Sequence, residues 1–165
     1  MEEYIVRVYI DSTEWFNKAN QHHRLDGPAI EYSNGTKVWY QNGQLHRLDG
    51  PAREWQRGHK EWWVDGKRHR EDGPAVEYAD GTKEWWVDGK SHRIDEPAII
   101  FGNGSRRWYK DGRLHRLDGP AVECIDGYKE WWIDGEEYTK EEWKKICCPS
   151  IEEVAAMFNA LTTAQ

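Results

Sequence analysis

Hydrophobic and polar positions in this chain are arranged in short runs, each too brief for a helix. Pro-Ala-Val-Glu-Tyr at 74–78 and Thr-Lys-Glu-Trp-Trp-Val at 82–87 are representative. Runs rich in β-branched and aromatic residues and bounded by turn residues read as strands. The turn residues are explicit: Asn42-Gly43, Asp65-Gly66, Asp88-Gly89, Asp111-Gly112 and Asp134-Gly135. Both members of such pairs tolerate positive φ, the requirement of a tight hairpin.

The runs repeat. His23, His46, His69, His92 and His115 are 23 residues apart, and each is followed by Arg. Asp comes three residues after each His, and then Pro28, Pro51, Pro74, Pro97 or Pro120 followed by Ala. Further on stand Gly35, Gly58, Gly81, Gly104 and Gly127, then Trp39, Trp62, Trp85, Trp108 and Trp131, each with a second aromatic directly after it. Five tandem copies therefore occupy residues 23–137, and a fixed period of this length marks a repeat architecture.

Charge selects the register inside each copy. A two-residue loop at the first turn would set Glu77 opposite Glu84 and Glu54 opposite Glu61, and like charges directly across a ladder repel. A three-residue loop with a glycine bulge instead sets Glu31 opposite Lys37, Glu54 opposite Lys60, Glu77 opposite Lys83 and Glu123 opposite Lys129, each pair contributing about 0.2–1 kcal/mol. The fourth copy has Ile100 and Arg106 at those positions.

Three Gly-containing turns per copy also permit a three-sided β-solenoid. Stacked coils would align Glu31, Glu54 and Glu77 in one row about 4.8 Å apart, whereas side-by-side hairpins double that spacing. The solenoid therefore ranks second. The expected fold is mainly β: an elongated, single, twisted antiparallel sheet of tandem 23-residue β-hairpin repeats with C-terminal capping helices.

Both ends depart from the repeat, as caps do. Residues 1–22 read as a degenerate hairpin, with Trp15-Phe16 imitating the aromatic pair at one residue's difference in spacing to His23. Residues 138–165 read as a helical cap. Thr139 with Glu142 and Ser150 with Glu153 are capping boxes, so helices are expected at about 140–147 and 151–161. Ile151, Val154, Ala155, Phe158 and Leu161 form an apolar stripe on the second, suited to covering the last hairpin or to a partner, including a second copy of the chain.

Composition changes the picture in three ways. Of 165 residues, 32% are charged and 38% hydrophobic, but 11 Trp and 8 Tyr give the chain a folding core that disordered sequences lack. With only six Leu, that core is thin and aromatic. A net charge of −7 disfavours non-specific nucleic-acid binding. No apolar stretch approaches the roughly 20 residues of a membrane span. The absence of a basic, apolar leader and the three cysteines, two of them adjacent, point to an intracellular, cytoplasmic protein.

The unit at 73–89, with its aromatic strand residues between two Gly turns, resembles the MORN-repeat variant of YwqK-type antitoxin proteins. The His-Arg-x-Asp-Gly-Pro-Ala form is similar to repeat proteins of phages and giant viruses. The resemblance covers about 115 residues and implies elongated hairpin arrays that scaffold or bind a protein partner, with antitoxin or immunity roles in some members. It implies no catalytic residues.

Candidate chemistry is sparse. One His and one Asp per copy, about 9.5 Å from the next pair, do not suit the close ligand set of a zinc site, so neither a metal nor a cofactor is expected. The reading for this loop is structural: Asp accepts backbone N–H groups while His and Arg hold the loop against the neighbouring copy. Cys124 occupies the column of Tyr32, Trp55, Tyr78 and Phe101, a packing position, and no enzyme site stands out.

The second-aromatic column, Tyr40, Trp63, Trp86, Tyr109 and Trp132, shares a face with Arg53 and Arg107, and amphipathic aromatics beside charges make a binding surface. The chain is therefore expected to be a non-enzymatic interaction module that binds, and inhibits or scaffolds, a protein, as an antitoxin-like or viral host-antagonist protein would. The alternative is a small-molecule binder holding a nucleotide between the rings and Arg53 or Arg107.

Overall fold

The computed structural model describes residues 3–152 and 154. They form one long antiparallel sheet of 13 strands in hairpin succession. Strands β1 (Ile5–Val8) and β2 (Ser12–Phe16) begin it. Each copy then adds two neighbouring strands, such as Ile30–Tyr32 with Lys37–Val38 and Arg53–Glu54 with Lys60–Glu61, and the order ends at Glu136–Tyr138. Copies lie side by side, so the solenoid is not the fold.

The register is the one that charge selects. Across the sheet one row runs Glu31, Lys37, Glu54, Lys60, Glu77, Lys83, Ile100, Arg106, Glu123, Lys129. Opposite charges thus meet between copies as well as within them, except at Ile100. The three-residue loop closes as expected: Tyr32 N–H donates to the Thr36 carbonyl, and Gly35 turns at φ +85°. Asn34 Oδ1 accepts the Thr36 N–H within this loop, the Asx-type closure that the sequence placed elsewhere.

The run at 82–87, read as one strand, is split at Trp85. Its N–H donates to Ala98 of the next copy, while its carbonyl accepts from His92 N–H. One residue serves two different partners, and the chain bends there out of the main sheet. It continues into a separate two-stranded hairpin, Trp86–Val87 with Lys90–Ser91. The turns of these second hairpins have positive φ at both central residues, 49° and 74° at Asp65 and Gly66. Gly66 N–H donates back to the Leu45 carbonyl, tying each hairpin to the one before.

The core follows the bend. Ile30, Val38 and Leu45 are buried together, with Tyr40 and Trp63 against them. Ala29, Ala52, Ala75, Ala98 and Ala121 are wholly buried where the loops enter the sheet.

Both caps reuse repeat chemistry. Trp15 N–H donates to Ala29 and its carbonyl accepts from His23, as the repeat Trp residues do, and the extra residue is absorbed in a turn with Asn20 at φ +59°. Helix α1 (Lys140–Cys147) starts from the Thr139–Glu142 capping box. Trp143 is buried, its Nε1–H donating to the Arg116 carbonyl at 3.1 Å. Apart from Ile151, Glu152 and Val154, the expected helix at about 151–161 lies outside the described residues. No helix among the described residues is long and apolar enough to cross a membrane.

Lys60 lies between Glu54 and Glu77. Lys60→Glu is expected to lower stability by about 0.5–2 kcal/mol at low salt, with most of the loss screened in 1 M salt. Denaturant midpoints at the two ionic strengths check this, and an equal loss at both would contradict the charge row.

Candidate binding surface

One face of the sheet carries the His-Arg-x-Asp-Gly-Pro-Ala loops. In the second copy the Arg47 guanidinium lies 4.0 Å from the ring centre of Trp39, a residue of the preceding copy. Its Nε donates to Asp49 Oδ1 at 2.9 Å, and its Nη1 donates to the Pro51 carbonyl and to Glu54. Arg24, Arg70 and Arg116 repeat these bonds, and Arg93 keeps the Trp contact at 3.9 Å. Arg therefore holds neighbouring copies together, as expected, but the Asp acceptor role differs from the expected one: the carboxylate takes the Arg Nε–H.

The His Nδ1 faces its own copy. His23 accepts from Asn42 N–H at 2.9 Å, and His46 lies 3.2 Å from Asp65 N and 2.8 Å from its carboxylate.

The loop glycine makes room for the arginine rather than supplying a positive φ. A Cβ at Gly50 would meet Arg47 Cζ at 2.9 Å, and Gly27, Gly73 and Gly119 are equally close to their arginines. The fourth copy shows the consequence: with Glu96 in that place, Asp95 takes φ +61° and Arg93 pairs with Glu96 instead. The Arg hydrogen bond holds the Asp49, Asp72 and Asp118 carboxyls below the usual carboxylate range.

Above these loops stands an apolar column that the sequence reading overlooked. Leu48 and Ile94 are 79% and 74% exposed, and Leu25 and Leu117 are exposed too; the central member of the column is Glu71. Beside them run open grooves floored by the first Trp of each pair, about 610 Å³ at Leu48 and Trp62 and about 380 Å³ at Ile94, Trp108 and Leu117. The signal was present in the sequence, since the variable x of the loop motif is apolar in four of five copies.

The opposite face carries the residues expected to bind. Tyr40, Trp63, Trp86, Tyr109 and Trp132 are all half-buried there. The indole Nε1–H groups of Trp63, Trp86 and Trp132 donate to Glu61, Glu84 and Glu130 at 2.7–2.8 Å. Glu61 is only 4% exposed and also accepts from Arg68 at 2.9 Å, with Arg53 at 3.7 Å. The Arg68 guanidinium lies 5.4 and 5.2 Å from the Trp63 and Trp86 ring centres, beside an open pocket of about 460 Å³ that these three residues line. Arg107 is exposed and lies 5.1 Å from the Phe101 ring. The centre of this face is thus already occupied by its own cation, and burial, followed by the Glu84 carboxylate, pushes the Tyr78 phenol up.

Other chemistry is quiet. Among the described residues no three His, Cys, Asp or Glu side chains are grouped so as to hold a metal ion. Cys124 is half-buried, and burial raises the Cys147 thiol away from its reactive thiolate form. No protein-family model and no curated protein matches the chain.

Gly50→Ala is expected to cost about 1–2 kcal/mol, the scale of a charged hydrogen bond, by disturbing the Arg47–Asp49 bond while the guanidinium stays on Trp39, as Arg93 stays on Trp85 beside Glu96. Chemical denaturation checks this, and a neutral result would contradict the steric role.

The depressed Asp carboxyls give a second expectation. Their contribution is complete above the unfolded value and is lost as pH falls through the lower folded values, so acid loss sets in below about pH 4. The Asp49→Asn, Asp72→Asn and Asp118→Asn triple variant should be less stable at neutral pH and respond less to acid. A urea midpoint series against pH shows whether the two profiles converge.

Proposed function

We propose that this chain is a non-enzymatic interaction module that binds a protein partner along its loop face and thereby inhibits or scaffolds it. The observation that carries the reading is the exposed apolar column at Leu25, Leu48, Ile94 and Leu117, one side chain in each of four of the five copies, held on loops anchored by Arg and flanked by Trp-floored grooves. Apolar side chains held out on ordered loops mark an interaction surface. Glu71 in the middle of the column asks for a basic side chain on the partner.

An array in which each polar group recurs and supports the fold favours binding over catalysis. The resemblance to antitoxin-type and viral repeat proteins supports an inhibitory role in a cytoplasmic setting. A nucleotide in the open pocket beside Trp63 and Trp86 would meet an Arg68 already bonded to Glu61 and flanked by carboxylates, so the protein partner is the better reading.

The test compares capture of the same interacting protein by the wild-type chain and by Leu48→Asp with Ile94→Asp. These exposed positions leave folding intact, checked by an unchanged melting temperature, and retention should fall at least tenfold. Equal retention by the folded double variant would overturn the loop-face reading. Loss of retention only with Trp63→Ala and Trp86→Ala would place the partner on the opposite face.

A further inference from the structure

The two ends of the sheet are finished differently. At the C-terminal end, α1 packs against Lys129–Ile133 and Glu136–Tyr138, and Lys140 stands 5.8 Å from the Trp131 ring centre where the next copy's Arg would be. At the other end, among the described residues, β1 is hydrogen-bonded to β2 alone. Tyr9 N–H donates to the Ser12 carbonyl. Bonded and non-bonded pairs alternate along an antiparallel ladder, so Arg7 and Ile5 direct their backbone groups to β2 while Val6 and Val8 direct theirs outward. Val6 and Val8 are 50% and 77% exposed, and Ile5 is exposed on the other face. Natural sheets blunt such edges with lysine, proline or a bulge; in β1 only Arg7 interrupts the apolar residues.

We propose that β1 is the docking edge for a second copy of this chain, two β1 strands pairing antiparallel across a two-fold axis to join both sheets into one. Such self-complementary interfaces are the commonest in homo-oligomers, and added strands gain their affinity from main-chain bonds.

Charge chooses the register. An axis at Arg7 sets two arginines directly opposite, and an axis at Val6 sets Ile5 opposite Arg7. An axis at Ile5 sets Glu3 opposite Arg7 on both sides, Tyr4 opposite Val6, and Ile5 opposite its counterpart. Opposite charges and aromatic–β-branched pairs are the favourable cross-strand combinations, so the axis lies at Ile5. Among the described residues Glu3 pairs with Lys18 at 3.5 Å, both side chains more than four-fifths exposed, a weak pair that yields readily. Arg7 keeps its contact with Phe16 at 4.4 Å and its bond to Asn20 from the same side of the strand.

The full-length chain is weighed by sedimentation equilibrium or light scattering. The expected mass is twice the 19.5 kDa of one chain. Arg7→Glu and Glu3→Arg should each weaken the dimer at least tenfold by placing like charges opposite at two sites, and the combined swap should restore it. Tryptophan fluorescence and the melting curve confirm that each variant is folded. A monomeric wild type, a dimer indifferent to Arg7→Glu, as one built through the C-terminal segment would be, or a swap that stays monomeric would each overturn the proposal. None of these outcomes bears on the loop face, which is tested with other residues.

Discussion

A guanidinium laid on an indole joins each copy to the one before it. Arg24 on Trp15, Arg47 on Trp39, Arg70 on Trp62, Arg93 on Trp85 and Arg116 on Trp108 all lie within 3.9–4.1 Å of the ring centres. A single sheet poor in Leu cannot seal its copies together with a deep aliphatic core, so the joint must work at a half-wet surface. A flat cation on a flat ring does so because its edges remain hydrogen-bonded while its face is covered. The loop motif follows from that contact. Asp takes the Nε–H, the carbonyl of Pro takes an Nη–H, Gly leaves room for the guanidinium, and Ala closes against the sheet without space for a larger side chain.

The fourth copy shows how much departure this design absorbs. It lacks the Glu of the charge row, carries Glu96 in place of the loop glycine and moves Asp95 to positive φ, yet Arg93 still covers Trp85. In a one-dimensional array each copy answers only to its neighbours, so a local fault stays local. Copies are thereby free to vary at positions that face outward, and the loop column, apolar at four places and acid at Glu71, is such a set.

The two faces differ in what they leave uncovered. On the aromatic face, the Trp63 and Trp86 indole N–H groups and Arg68 Nη2 bond to Glu61 and Glu84, so much of its polarity is spent inside the molecule. On the loop face the arginines and aspartates are also engaged, but the apolar side chains above them stay exposed among the described residues. Repetition at a constant pitch sets equivalent side chains at regular intervals along this face.

The repeat period, the hairpin turns, the three-residue first loop and the cross-strand charge register could all be read from residue order alone. Each depends on contacts between residues near in sequence, or on like charges being kept apart, and neither needs coordinates. The α1 cap was legible for the same reason, through Thr139 and Glu142. Tertiary structure decided what depends on distance between copies: that the strand splits at the first Trp of the first four copies and runs unbroken through Trp131 in the fifth, that Arg68 lies between Trp63 and Trp86, and that the loop glycine makes room for a guanidinium. It also decided which residues remain uncovered. Leu48 and Ile94 look like core residues by composition and stand in solvent because the Arg–Trp joint beneath them already closes the loop, a fact of packing that no local pattern encodes.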